Sequence, residues 1–233
     1  MPDLPAPLPP ERRTVGQLVA ESIRAYGQSL WRCLPLGLPL AVADQLDAGH
    51  DPAVQALVLW VLTPLFVAAY VEACRLVLGV PATRTAVAVA LLVWLPFPAL
   101  RVGYTLPALA WLAFIGLAVP AAMVEGTGFR DSLVRGRRLG IADYVHALGS
   151  VCTLVIVVGV ASNVLAPILH TQSDAGARVA LFLSDLVLSP LLYLGSALLY
   201  VDQAARLRLR GDARLHPPLE PEPAGRPDAQ VEP

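Results

Sequence analysis

The chain has 233 residues, of which 56% are hydrophobic and 15% charged, and its mean hydropathy is +0.61. A soluble domain of this size could not cover so much apolar material with so little polar surface, so composition excludes one and points to a membrane protein. The formal net charge of −1 is the sum over 17 basic and 18 acidic residues, and every basic one is arginine.

In chain order, Met1 to Arg13 (MPDLPAPLPPERR) is rich in proline and has no apolar h-region, which predicts a disordered tail and not a signal peptide. Thr14-Val-Gly-Gln17 fits a capping box. The helix it opens, over about residues 14–29, puts Val15, Leu18, Val19, Ile23, Tyr26 and Leu30 on one face, with Gln17, Glu21, Arg24 and Gln28 opposite. That pattern predicts an amphipathic helix in the membrane interface.

Leu30 to Leu46 is a weak candidate span. Arg32, Pro35, Pro39 and Asp44 leave an uncharged core shorter than the roughly 20 residues a bilayer needs, and the alternative is a re-entrant segment. Val54 to Val71 is a good span, Ala86 to Leu100 is short and interrupted by Pro96 and Pro98, and Tyr104 to Val124 carries no charge. Next, over about residues 128–140, comes a second amphipathic helix. Phe129, Ser132, Leu133, Gly136, Leu139 and Gly140 share one side, and Arg130, Arg135, Arg137 and Arg138 take the other. Tyr144 to Leu169 and Val179 to Val201 complete six spans, and Gly211 to Pro233 reads as a second disordered tail.

Arginine favours the cytoplasmic side of membrane proteins. With six spans, one side collects fifteen arginines and the other only Arg101 and Arg178. If Leu30 to Leu46 does not cross, Arg12, Arg13, Arg24 and Arg32 change sides and the split becomes eleven against six. The expected fold is therefore an all-α, polytopic membrane helical bundle of six transmembrane helices plus two interfacial amphipathic helices. Both termini lie in the cytoplasm. Tyr70-Val-Glu-Ala-Cys-Arg75-Leu76 and Tyr200-Val-Asp-Gln-Ala-Ala-Arg206-Leu207 end the second and sixth spans alike, which suggests two parallel repeats around a central hairpin.

Pro120, Glu125-Gly126, Ser132-Leu133, Arg135, Leu139, the opening TVGQLVAESIRAYGQSLWRC and the terminal LLYVDQAARLR together resemble a multi-pass bacterial family. It is typified by the membrane domain attached to some glycerophosphodiester phosphodiesterases and by the small YciC-like proteins. The resemblance runs from Thr14 to Leu209, although Gly136 stands where that family usually has serine. It implies the multi-pass fold but little about activity, since the phosphodiesterase chemistry belongs to a separate soluble domain.

Among polar residues, Asp185 is the sharpest candidate, because an ionisable group inside a span costs about 2.5–3.5 kcal/mol and usually has a partner or a task. Ser162 and Asn163, or Ser189 on its own helix, are the expected hydrogen-bond partners. Glu125 stands where a dipole-favoured carboxylate would cap the second amphipathic helix. Glu72 with Arg75 and Asp202 with Arg206 have ion-pair spacings. Asp44, Asp47, His50 and Asp51 read as an acidic outer loop more than as a metal site. Arg130, Arg135, Arg137 and Arg138 suit anionic lipid head groups, and the apolar face of their helix argues against nucleic acid.

Catalytic triads, HExxH, a P-loop and GxSxG are all missing, so no enzyme activity and no cofactor is expected. Two readings remain. One is a non-enzymatic membrane component that organises or partners envelope proteins or lipids, for which the spans should pack solidly through small residues such as Gly149, Gly159 and Ala161. The other is a carrier for a lipid-like or small amphipathic solute, for which a polar cavity should reach Asp185 and Asn163.

Overall fold

The computed structural model describes residues 9–47, 49–169 and 174–215. Among these residues every regular element is a helix. The twelve α-helices are α1 (Val15–Gln28), α2 (Leu30–Cys33), α3 (Leu38–Asp47), α4 (Pro52–Leu78), α5 (Arg84–Trp94), α6 (Phe97–Gly103), α7 (Thr105–Ile115), α8 (Ala118–Glu125), α9 (Phe129–Ala142), α10 (Tyr144–Leu169), α11 (Asp174–Leu188) and α12 (Pro190–Leu215). The all-α helical bundle is as expected.

Local sequence explains the boundaries. Thr14 and Gln17 close the capping box on α1, with Gln17 N–H donating to Thr14 Oγ1 and Thr14 N–H to Gln17 Oε1 at 3.0 Å. Pro52 opens α4 at a position that needs no N–H donor, and Thr83 Oγ1 caps α5 by accepting from Ala86 N–H at 3.1 Å. Gly79 and Gly126 end α4 and α8 at φ +66° and +60°, a conformation that glycine takes without a Cβ penalty.

Five stretches are long and apolar enough to cross a bilayer: Pro52–Leu78, Arg84–Arg101, Thr105–Glu125, Tyr144–Leu165 and Ala175–Arg210. Large apolar side chains face outward on these helices, among them Val61 on α4 and Val145, Ile156 and Ile168 on α10. Such surface is suited to lipid. Leu30 to Leu46 is not among the five, because a 3₁₀ turn at Leu34–Gly37 splits it into α2 and α3.

The N-terminal stretch nevertheless runs alongside α12 and α11 in the opposite direction. Arg13 pairs with Asp202, Ser22 lies against Gly195, Ser189 donates to the Gly37 carbonyl at 3.3 Å, and Gln45 donates to the Arg178 carbonyl at 3.0 Å. Gly37 is obligatory there, since a Cβ would sit 2.1 Å from the Leu186 oxygen. The helix α1 is thus aligned with α12 and buries Leu18 completely, together with Leu154 and Leu199.

Both expected tail boundaries shift. Pro10–Arg12 forms a 3₁₀ turn packed on α12, Arg13 is tied down by Asp202, and α12 continues to Leu215, past the expected break at Gly211. The remaining tail residues lie outside the described part of the chain.

The helix α9 has the face read from the sequence. Ser132, Gly136, Leu139 and Gly140 are buried, while Arg130, Arg137 and Arg138 are exposed; Phe129, expected on the buried side, is exposed. That buried face lies on protein, folding back on α7 and α8 with Gly136 against Ala118 and Gly140 against the Phe114 carbonyl. The matching ends of α4 and α12 diverge in detail. Tyr70 donates to the Gly116 carbonyl at 3.2 Å and Tyr200 to Glu125 at 3.4 Å, but Glu72 is exposed and Asp202 is fully buried.

Candidate functional site

The interior holds an apolar slot and, outside its wall, the buried carboxyls of Asp47 and Asp185. The slot is a cavity of about 110 Å³ between α3, α4, α5, α6, α7, α10 and α12. Its wall is built from Leu59, Phe66 and Tyr70 on α4, Leu109 and Leu112 on α7, Val151, Leu154 and Val155 on α10, and Leu192, Tyr193, Ser196 and Leu199 on α12. From Leu59 to Tyr70 it follows α4 for about 16 Å at about 1.5 Å per residue, so it is elongated along the bundle. Trp94 stacks on Phe66 with centroids 5.3 Å apart and meets Phe97 edge-on at 4.9 Å, making a rigid aromatic side. A cavity with such walls stays dry and takes up hydrocarbon in preference to water.

Among the described wall residues only Arg101 is charged. Its guanidinium faces the Asp47 carboxylate at 3.7 Å, at the end of α3. Asp44 sits one turn beyond Leu40, which also lines the slot, and α3 packs against α11, which carries Asp185. Ser162 Oγ on α10 donates to Asp185 Oδ1 at 3.3 Å.

Asp185 is 4% exposed and Asp47 8%, and neither Asp185 Oδ2 nor Asp47 Oδ1 has a donor.

The sequence-derived partners are only partly assembled here. Ser162 does bind Asp185, whereas Asn163 is exposed and turns its Nδ2 back to the Gly159 carbonyl at 2.7 Å, and Ser189 serves Gly37. Asp44 and Asp47, expected in an outer loop, lie on α3 inside the bundle. Spacing alone gave no signal for this, because what brings α3 to α11 is the close approach that Gly37 permits.

Glu125 does not cap α9, whose cap residue is Gly128 with no side-chain bond. It ends α8 and accepts from Arg135 Nε at 2.7 Å. Of the four head-group candidates, Arg135 is therefore already engaged, and Arg130, Arg137 and Arg138 remain exposed.

Asp202 does not take Arg206 as its partner. It pairs with Arg13 at 2.6 Å, and Arg206 turns to Asp143 at 2.6 Å and to the Arg13 carbonyl at 2.9 Å. The Glu72 to Arg75 pair forms as spaced. Among the described residues no three His, Cys, Asp or Glu side chains converge as metal ligands, and His170 lies outside them.

Neither packing expectation is met. The cavity is apolar and reaches neither Asp185 nor Asn163, and Gly149 and Gly159 face open space. Comparison with protein-family models, with curated proteins and with solved structures gives no match.

Proposed function

We propose that the protein is a non-enzymatic, lipid-partnering component of the bacterial cytoplasmic membrane that holds the apolar chain of a lipid-like amphiphile between its helices. The slot is the observation that carries this reading. It is elongated, largely apolar and aromatic on one side, and Arg101 is the one charged residue among its described wall residues. A carrier for an amphiphile needs such a place, whereas a purely structural bundle gains nothing from leaving it unfilled. The chain crosses six times with both ends in the cytoplasm, in keeping with the arginine partition of fifteen against two. Exposed Arg130, Arg137 and Arg138 on α9 then meet anionic head groups, each contributing about 1 kcal/mol near the surface.

Trp94 on the slot wall reports occupancy. In a variant with Trp31, Trp60 and Trp111 replaced by phenylalanine, brominated dodecanol should quench Trp94 saturably in nanodiscs of unbrominated zwitterionic lipid. Val155→Phe, which fills the slot, should remove that quenching. Quenching of Trp94 that is linear in probe and unchanged by Val155→Phe would show that no chain enters.

A further inference from the structure

A second cavity, of about 240 Å³, lies between α1, α2, α4 and α12 and shares no wall residue with the slot. Its two sides differ in chemistry. Leu76 and Val77 on α4 and Leu194 and Leu198 on α12 make an apolar side. The polar side is Glu21, Arg24 and Gln28 on α1 with Ser29 at the C-terminal cap of that helix. Spacings of three and four residues put Glu21, Arg24 and Gln28 on one helix face. Arg24 Nη1 donates to Glu21 Oε2 at 3.0 Å, and both side chains stay accessible, at 53% and 30% exposure. That bond leaves Glu21 Oε1 and most of the guanidinium N–H groups free. The Gln28 amide and the Ser29 hydroxyl have no partner among the described residues.

The groove stands where a crossing ends. Leu76 and Val77 belong to the last turn of α4, which closes the stretch Pro52–Leu78, and Trp31, two residues beyond Ser29, is strongly exposed on α2. An exposed tryptophan at the end of a crossing belongs at the level of phospholipid heads. One carboxylate beside one guanidinium is complementary to a head that carries both charges. A phosphate takes the free N–H groups of Arg24 in a charge-assisted fork, and a primary ammonium donates to Glu21 Oε1 and to the Gln28 side-chain oxygen. A trimethylated ammonium has no N–H to donate, and a glycerol head brings hydroxyls but no positive charge.

From this lining we infer that the groove between α1, α4 and α12 binds the head of a zwitterionic phospholipid carrying a primary amine, with Arg24 on the phosphate and Glu21 on the ammonium. Gln28 and Ser29 complete the polar side by hydrogen bonding, and the four apolar residues opposite receive the first methylenes of the chains. The site is separate from the slot and does not depend on the slot's taking up a chain.

The test is a lipid titration of the full chain in detergent, read by native mass spectrometry. It uses three dioleoyl lipids that differ only in the head: phosphoethanolamine, phosphocholine and phosphoglycerol. The phosphoethanolamine lipid should half-saturate the protein at a concentration about tenfold below the other two, equivalent to about 1.4 kcal/mol. Glu21→Gln keeps the side-chain shape, removes the charge and should cancel that preference. Arg24→Gln should weaken all three lipids about tenfold, the order expected for losing a charge-assisted hydrogen bond. Both are accessible positions, at which substitution leaves the fold intact. Arg75→Gln, which breaks the similar exposed pair with Glu72 outside the groove, should change none of the three.

Equal binding of the three heads, or a preference for phosphoglycerol, would overturn the inference. A phosphoethanolamine preference that survives both Glu21→Gln and Arg24→Gln, or that is lost equally in Arg75→Gln, would overturn the assignment to this groove. Displacement of the lipid by an equal concentration of water-soluble glycerophosphoethanolamine would make the ligand a free solute and overturn the lipid assignment. Trp94 quenching tests the slot separately, so each of these results leaves that reading standing.

Discussion

Arg13 and Asp202 show what a single buried contact does here. Their side chains are 12% and 0% exposed and meet at 2.6 Å, so the pair ties the residue preceding the Thr14 cap of α1 to the middle of α12. Removing one partner from a buried pair strands the other charge, which costs about 3–5 kcal/mol. Arg13→Ala should therefore lower the unfolding free energy by that order, read by denaturant unfolding in detergent, and a loss below about 1 kcal/mol would contradict the account. Arg75→Ala removes a solvent-screened (i, i+3) pair with Glu72 and should leave the unfolding free energy nearly unchanged. Of these two pairs only the second was legible in the sequence. Spacing along a helix reveals an (i, i+3) partner, but it favoured Arg206 for Asp202, and the pair that forms joins residues 189 positions apart.

At the scale of the element, α9 combines what periodicity reveals with what it hides. A wheel separates the buried Ser132, Gly136, Leu139 and Gly140 from the exposed arginines, because a 3.6-residue period maps directly onto faces. It does not say what the apolar face lies on. The glycines answer that, since a Cβ on Gly136 would come within 2.4 Å of Ala118 backbone atoms and one on Gly140 within 2.3 Å of the Phe114 oxygen. Gly136→Ala should therefore destabilise the protein by about 1–3 kcal/mol, the usual range for forced overpacking. Gly159→Ala on α10 meets open space and should be neutral or stabilising by up to about 1 kcal/mol. Thermal unfolding of the two variants side by side checks both, and equal effects would mean that α9 does not pack so closely on α7 and α8. The broken stretch from Leu30 to Leu46 has the same lesson. Its prolines and charges announce a poor span, but its fit along α11 depends on Gly37 and on partners that lie on a distant helix.

For the whole molecule, hydropathy finds the five long crossings, and the arginine partition proposes their orientation. Neither reveals the slot, whose wall draws on α3, α4, α5, α6, α7, α10 and α12. The proposed six-crossing arrangement needs α3, which lies beside α11 and carries Leu40 of that wall, to belong to a first stretch that crosses the membrane. Cysteine-accessibility mapping in whole cells tests this most directly, with His50→Cys, Tyr104→Cys, Ala175→Cys and Arg137→Cys made singly in a background lacking Cys33, Cys74 and Cys152; all four positions are exposed. Six crossings predict that the first three label from outside and that Arg137→Cys labels only after permeabilisation. If His50→Cys is protected while Tyr104→Cys and Ala175→Cys label, or if Arg137→Cys labels in intact cells, the six-crossing arrangement is contradicted, and with it the route by which an amphiphile would reach the slot.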